Sequence, residues 1–284
     1  MAFTLHEKEN ISWLESDMIP YPHMFTRKLG NVGELPFWTG QNPDWEDPKC
    51  QAAVRDIWQR LAKAGEFGEE GFCMHHQVHG TDLKYVTFEN RVMPPLEETP
   101  EDYDGCYTDR ENVPLCIFTA DCVPVLLCDP EAGVIAAAHS GWKSTVKDMM
   151  GSAVEKLVSI GARPERIRAA IGPAISKCCF EVGPEVKDAI EALLGADVEE
   201  VCVPEEGVPG NYLADIKETN RRRLLQLGLK PENIDVSDVC TMCSQEEYWS
   251  HRATGGKRGT MANIIMLPDF LIREDIPQRT SARP

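Results

Sequence analysis

Between Leu115 and His139 the apolar positions fall in short runs: Leu115 to Phe118, Val123 to Cys128, Val134 to His139. Runs of four to six branched or aromatic residues, bounded by turn formers, predict buried strands. Asp129-Pro130-Glu131-Ala132-Gly133 has turn chemistry, so the last two runs are expected to pair as an antiparallel hairpin. Phe72 to Val78 predicts a strand ending at His79-Gly80, and Ile167 to Ile171 another, stopped by Gly172-Pro173. Ile234 to Val239 and Ala262 to Leu267 predict late strands. Elsewhere the spacing is helical. Val146, Met149, Met150, Ala153, Val154, Leu157 and Val158 predict one helix, capped by Ser144 or Thr145 and ending at Gly161. Pro184 reads as a first-turn proline, with Val186, Ala189, Ile190, Leu193 and Leu194 facing inward. A further helix is expected over Leu213 to Leu227. Hairpins mixed with scattered helices predict an α+β fold rather than a regular doubly wound sheet. Neither a repeat nor a low-complexity linker divides the chain, and Glu97 to Asp104 reads as an acidic surface loop.

Charge narrows the partners. With 46 acids against 29 bases the net charge is −17, which argues against a non-specific nucleic-acid binder and against an anionic membrane surface. A basic pocket for a small substrate remains compatible with it. The N-terminal stretch has no basic region followed by an apolar run, so no signal peptide is expected. No segment approaches the ~18 apolar residues of a membrane helix. Eleven cysteines, an odd number in a chain without an export signal, predict reduced thiols in the cytoplasm.

Three side chains carry candidate metal chemistry. Zinc prefers imidazole and thiolate, and catalytic zinc is held by three protein ligands plus water. If Cys128 pairs with Gly133 or with Val134, the hairpin register sets Cys122 opposite His139 or Ser140 respectively. Either register brings thiol and imidazole within reach of one ion. Cys122 follows Asp121 and precedes Pro124 by two, at the mouth of a strand, and Ser140-Gly141 lets the backbone turn away after His139. His79, beside Gly80 at another strand end, is a third candidate. On residues alone, a buried thiol and a core or capping histidine stay open beside the metal reading.

Several blocks extend the picture: QVHG at Gln77–Gly80, TADCVPVLLCDP at Thr119–Pro130, AAHSGWKST at Ala137–Thr145 and IGPAISKCCFEVGPEV at Ile171–Val186. With HMFTRKLGNVG at His23–Gly33, Asn220, and the CT…YWSHR…GTMANI pattern from Cys240 to Ile264, they resemble the YfiH family. Its members were long labelled polyphenol oxidase or laccase-domain proteins and are regarded as zinc-dependent purine nucleoside enzymes. The resemblance spans nearly the whole chain and implies one compact domain over residues 1–284, with mixed, largely antiparallel sheets and flanking helices. It implies zinc on His79, Cys122 and His139, with copper(II) as an ion such a site also takes up in vitro. It also implies phosphorolysis of adenosine, inosine and methylthioadenosine to free base and (methylthio)ribose 1-phosphate, together with adenosine deamination. The implied partners are purine nucleosides and inorganic phosphate, without nucleic acid or membrane, and a monomer is expected. The chain departs from its relatives at Lys143, where many carry arginine, and at Ser250-His251-Arg252-Ala253, where many carry paired arginines; Arg258 is a possible substitute.

The two reactions assign different roles. Deamination suits zinc, which lowers the pKa of bound water to ~7. Cys122 and His139 are then catalytic as well as ligating, and Asp121, Asp104 or Glu181 is the proton carrier. The H-x-E with P-C-x-x-C signature of zinc deaminases is absent. Phosphorolysis passes through a cationic sugar and needs a held phosphate, for which Arg27, Lys143 and Arg252 are candidates, while Trp142 is placed to stack on a base. Three competing readings differ in their residues. A multicopper oxidase needs many histidines, commonly as His-x-His, and this chain has seven and no such pair. A hydrolase using Cys122 activated by His139, of the kind linked to peptidoglycan editing, needs no metal. A structural zinc module needs a fourth ligand, for which nothing convincing stands out. Cys240-Thr241-Met242-Cys243 is a lone CxxC, and Cys178-Cys179 reads as packing or a loop feature. His75 and His76 are candidates to line the pocket.

Overall fold

Alternate residues along the central strands face different cores, and this sets the layers. On the Val134–Ser140 strand, Val134, Ala136 and Ala138 pack with Met149, Leu157, Ile190 and Leu224 from the helices, while Ile135 and Ala137 pack with Phe25, Leu115, Ile117 and Ile265 of a second sheet. On Leu115–Thr119, Leu115 and Ile117 face that inter-sheet core, whereas Cys116 and Phe118 meet Trp58 and Leu61 of the Pro48–Ala64 helix. The order is helix, sheet, sheet, helices. Strands buried on both faces read as continuous apolar runs, which is how they read in the sequence.

The computed structural model describes residues 3–29, 47–94 and 101–269. Gly30 to Gly33 of the first block and Glu97 to Pro100 of the acidic stretch lie outside them. Among the described residues one sheet has seven strands, ordered 3–8, 11–16, 23–26, 261–265, 115–119, 72–73, 91–92. A second has six, 234–236, 168–171, 123–129, 134–140, 105–108, 83–85, and a small third has three, 181–182, 212–214, 202–204. Three pairings are parallel (73 with 115, 168–171 with 234–236, 83–85 with 105–108) and the rest antiparallel. The fold is thus α+β with mixed, largely antiparallel sheets and flanking helices. No described helix is long and apolar enough to cross a membrane.

Four elements differ from expectation. The predicted strand from Phe72 stops at Cys73, so residues 74–80 form a connection rather than a strand, apart from a bridge between His76 and Asp102. Tyr212–Ala214 is a strand, and the helix starts at Ile216 behind an Asp215 cap. The hairpin closes with Val134 opposite Asp129, so His139 faces Pro124 and Cys122 lies beyond the ladder, level with Gly141 by extrapolation. The turn fixes that register, and neither anticipated pairing occurs.

The helix expected to begin at Ser144 or Thr145 is instead two, Trp142–Val146 and Met149–Ser159, and Val158 is exposed. Asp148 makes the break, at φ 73, with its carboxylate accepting from Gly151 N–H at 3.0 Å and from Arg223 Nη2 at 2.7 Å. The Arg223 guanidinium holds this carboxyl below its usual range. Asp148→Ala is expected to cost about 1–2 kcal/mol in urea unfolding, through the lost cap and a left-handed backbone that alanine resists. Asp148→Asn keeps the cap and the tolerance of the left-handed backbone, and loses the charge together with the oxygen that accepts from Arg223 Nη2. Because the folded pKa is depressed, that charge term is present above the unfolded value and lost as pH falls through the folded one, so wild type and Asp148→Asn converge below pH ~4.

Candidate metal centre

The centre forms where two strand ends and the connection over residues 74–80 meet at the rim of the inter-sheet core. His139 and Cys122 share the parity of Ile135, Ala137, Leu126 and Cys128, so the pleat turns both toward that core. Asp121 at φ 82 swings the chain into the strand and brings the thiol back over the sheet end. His79 arrives on the connection after Cys73. Gln77 fixes that connection: its Nε2 donates to Phe118 O and its Oε1 accepts from Phe118 N–H, both at 2.7 Å, copying the rung of a strand.

Asp104 joins the parts. It is fully buried, and its carboxylate accepts from the N–H groups of Val78, His79 and Gly80 at 3.1, 2.9 and 2.6 Å and from His139 Nδ1 at 2.8 Å. Three backbone bonds offset the left-handed backbone of His79, at φ 60. The His139 bond assigns a proton to Nδ1, so Nε2 is the nitrogen that serves a metal, giving up its own proton as the ion binds. Burial pushes the Asp104 carboxyl up, but His139 and the Gly80 and His79 N–H groups outweigh it and hold it at about 2.

The ligand atoms of His79, Cys122 and His139 lie within 4.8 Å of one another, with Cys122 Sγ to His79 Nε2 at 3.7 Å. Zinc–sulfur and zinc–nitrogen bonds of ~2.3 and ~2.05 Å at a tetrahedral angle put sulfur and nitrogen about 3.6 Å apart. The residues therefore fit a metal of that size. Burial alone would raise the Cys122 thiol; the His139 and His79 rings overcome it and bring it down to about 6. Burial likewise lowers His139, while Cys122 and Asp104 raise it to about 9. A thiol held as thiolate is ready to ligate. Gly141 packs against the group: a Cβ there would sit 2.9 Å from His79 Cδ2 and 3.0 Å from Cys122 Sγ. Its φ of −65 suits any residue, so space, not backbone freedom, demands glycine.

The three side chains open onto a cleft of about 160 Å³, shared with His76, Phe118, Thr119 and Arg258. Arg258 is the cation on that wall; its Nε approaches His251 Nδ1 at 3.3 Å, and burial lowers its pKa while Cys122 and Asp121 oppose. The other predicted residues stand further out. Arg27 pairs with Glu247 at 3.1 Å, Lys143 is exposed over the Trp142 ring, and Arg252 lies over Phe180 with Nη2 on Glu181 O at 3.1 Å. Trp142 lines a neighbouring pocket with Cys122, Ser140 and Phe180. The Asp121 carboxylate accepts from Thr241 Oγ1 at 2.6 Å, Ser250 Oγ at 3.0 Å and Arg252 N–H at 2.7 Å, which makes it an anchor for the 241–252 segment. Asp104 is equally committed. His76, its Nδ1 2.8 Å from Asp102 Oδ1, is the imidazole on the cleft wall outside the metal triad. Sequence reasoning missed the joining role of Asp104 and a buried network in which Ser140 Oγ donates to Asn220 Oδ1 at 2.8 Å and Asn220 Nδ2 to Thr145 Oγ1 at 3.2 Å, fastening the helix after His139.

Comparison with known proteins supplies the family. The family described as multi-copper polyphenol oxidoreductase laccase matches residues 22–268. A purine nucleoside phosphorylase of Deinococcus radiodurans is 37% identical over 90% of this chain and 92% of its own. An adenosine deaminase, RL5, from an unknown prokaryotic organism is 31% identical over 73% of this chain and 80% of its own. The crystal structure of the Bacillus licheniformis hypothetical protein YfiH superposes with a TM-score of 0.80 at 30% identity, covering 93% of this chain and 98% of that one. The chain therefore belongs to the multi-copper polyphenol oxidoreductase laccase family, the YfiH family that its motifs resemble.

Proposed function

We propose that the chain, acting as one domain and as a monomer in the cytoplasm, is a zinc-dependent purine nucleoside enzyme. It cleaves adenosine, inosine and methylthioadenosine with inorganic phosphate to free base and (methylthio)ribose 1-phosphate, and deaminates adenosine. The observation that carries this is the convergence of His79, Cys122 and His139 on a cleft that Arg258 also lines. The names of the relatives supply the substrate class. All eleven cysteines are free, which suits a reducing compartment.

A zinc ion bound there supplies Lewis acidity and water activation near neutral pH. The rest falls to the chain itself. Asp104 holds the His139 tautomer and the His79 backbone. Arg258 faces the cleft with a donor fork suited to phosphate, and Arg27, Lys143 and Arg252 add positive charge further out. His76 Nε2, oriented by the Asp102 bond at Nδ1, is the group that carries a proton on the cleft wall. Trp142 and Phe180 offer aromatic faces beside Cys122.

Copper is a weaker fit. Among the described residues, the two groups able to hold a metal contain two histidines between them, too few for several copper centres. The Cys122–His139–Asp104 chain does favour a second reading, a thiol nucleophile with an oriented base. His79 on the same sulfur has no task in that mechanism, whereas it completes a metal site. Cys122→Ser decides between them when zinc content is measured alongside activity: zinc retained with activity lost supports the nucleophile.

The direct test is a nucleoside panel, with and without phosphate, resolved by chromatography. Inosine with phosphate is expected to yield hypoxanthine, and adenosine without phosphate to yield inosine. If no nucleoside reacts while peptidoglycan precursors do, the purine assignment falls. Within the panel, Arg258→Ala is expected to raise KM for phosphate about 10- to 100-fold, the worth of a charge-assisted hydrogen bond. Adenosine deamination, which needs no phosphate, should change far less. Equal losses in both reactions would remove Arg258 from phosphate binding.

A further inference from the structure

A second set of sulfurs lies apart from the triad. Cys178 and Cys179 sit in the turn before Phe180, and Cys240 and Cys243 follow the Ile234–Val236 strand. All four Sγ atoms lie within 4.8 Å of one another. The separations are 3.6 Å for Cys178–Cys179, 3.6 Å for Cys178–Cys243 and 3.4 Å for Cys179–Cys243. A tetrahedral ion with metal–sulfur bonds of ~2.3 Å sets its sulfurs about 3.8 Å apart. A disulfide would draw two of them to ~2.05 Å and leave the others without purpose. We propose that Cys178, Cys179, Cys240 and Cys243 form a second, closed tetrathiolate site for a single divalent ion of the zinc type.

Three further observations support the site. The two segments are pinned side by side, with Ala174 bridged to Cys240 and Thr241 N–H donating to Ala174 O at 3.1 Å, so the CxxC meets its second pair through the fold rather than through sequence spacing. Ser176 N–H points at Cys240 Sγ at 3.4 Å, and the Cys243 backbone N–H bonds to the same sulfur. Such N–H bonds to a ligating thiolate orient it and stabilise its charge. Lys217 is buried nearby at 4% exposure, and its ammonium donates to Ser237 O at 2.7 Å and Val239 O at 2.9 Å. Burial lowers its pKa, and Asp215, Cys240, Asp238 and Cys178 oppose that, so two of the four thiols are among the groups that favour its charge. Four thiolates around a divalent ion carry a net charge of about −2, which a buried cation offsets.

Four protein ligands leave no open position, so the role is structural. The ion would clasp the Cys240–Cys243 loop, whose Thr241 hydroxyl holds Asp121, the residue before Cys122. Sulfurs this close suit one ion; a cluster of several irons would spread its cysteines further apart.

The inference stands independently of the proposed activity and is tested by metal counting. Protein is expressed with zinc in the medium, purified under reducing conditions without chelator, and analysed by mass spectrometry of the metal. About two zinc ions per chain are expected in the wild type, and about one in Cys122→Ala and in Cys243→Ser. Cys243→Ser keeps the triad ion, so its loss is separable from that of the first site. If Cys243→Ser does not fold, cobalt-substituted Cys122→Ala gives the second readout: its sulfur-to-cobalt charge transfer should persist at the high intensity of several thiolates, and its absence overturns the site. One zinc in the wild type with none in Cys122→Ala overturns the site, as does a disulfide among the four cysteines in protein alkylated without reductant.

Discussion

Alanine at His79, Cys122 or His139 is expected to reduce inosine phosphorolysis to background and to remove about one metal ion per chain. Three ligands are the minimum that holds a catalytic zinc with a position left for reactant, so each removal leaves two, and affinity collapses rather than declines. The three positions should not be equivalent in stability. His139 is buried in a paired environment, so its alanine variant leaves Asp104 with one donor fewer and a void beside the sheet end. His79 is exposed, and its side chain can leave with little loss of packing. His79→Ala should therefore be inactive yet fold like the wild type. If that variant keeps full activity and full metal content, the centre has been placed on the wrong residues.

Asp104→Asn is expected to weaken metal binding by about 10- to 100-fold, as loss of a partner behind a ligating histidine does elsewhere. The carboxylate receives four hydrogen bonds, from three backbone N–H groups and one ring nitrogen. An asparagine side chain keeps one acceptor oxygen and turns an NH2 toward donors. At least one buried N–H then loses its acceptor, at about 1–3 kcal/mol. With the amide oxygen in the Oδ2 position the His139 ring loses the bond that fixes its tautomer, and with it in the Oδ1 position the Val78 and Gly80 N–H groups lose theirs and the loop carrying His79 loosens. Chelator competition reads the affinity and thermal unfolding reads the stability. Unchanged metal affinity would show that Asp104 supports the loop alone.

The hairpin and its neighbours were legible because strands buried on both faces leave uninterrupted apolar runs, and a proline-glycine turn joins two of them. The register was not, because turn closure decides it: Val134 meets Asp129, one step away from the nearer of the two anticipated pairings. Cys122 and His139 still converge, since the pleat sends both to the inter-sheet side and Asp121 bends the chain end inward. The helix break at Asp148 was hidden because the apolar spacing from Val146 to Met149 and Met150 runs on through it. Asp104 was masked by its company. It closes an acidic stretch, and in sequence nothing separates a solvated carboxylate from one that ends up fully buried under four donors. The CxxC at Cys240 was undervalued for a related reason: its companions lie some sixty residues upstream, brought near by a single parallel bridge.

The Asp104 clamp has a thermodynamic corollary. Loop, ring and strand end are tied together by hydrogen bonds that do not involve the ion. Little conformational entropy is then left for the ion to remove on arrival, unlike in zinc fingers, where uptake and folding are one event. Depleting the triad with a chelator should leave a native-like apoprotein that regains turnover as soon as zinc is restored, with no refolding lag.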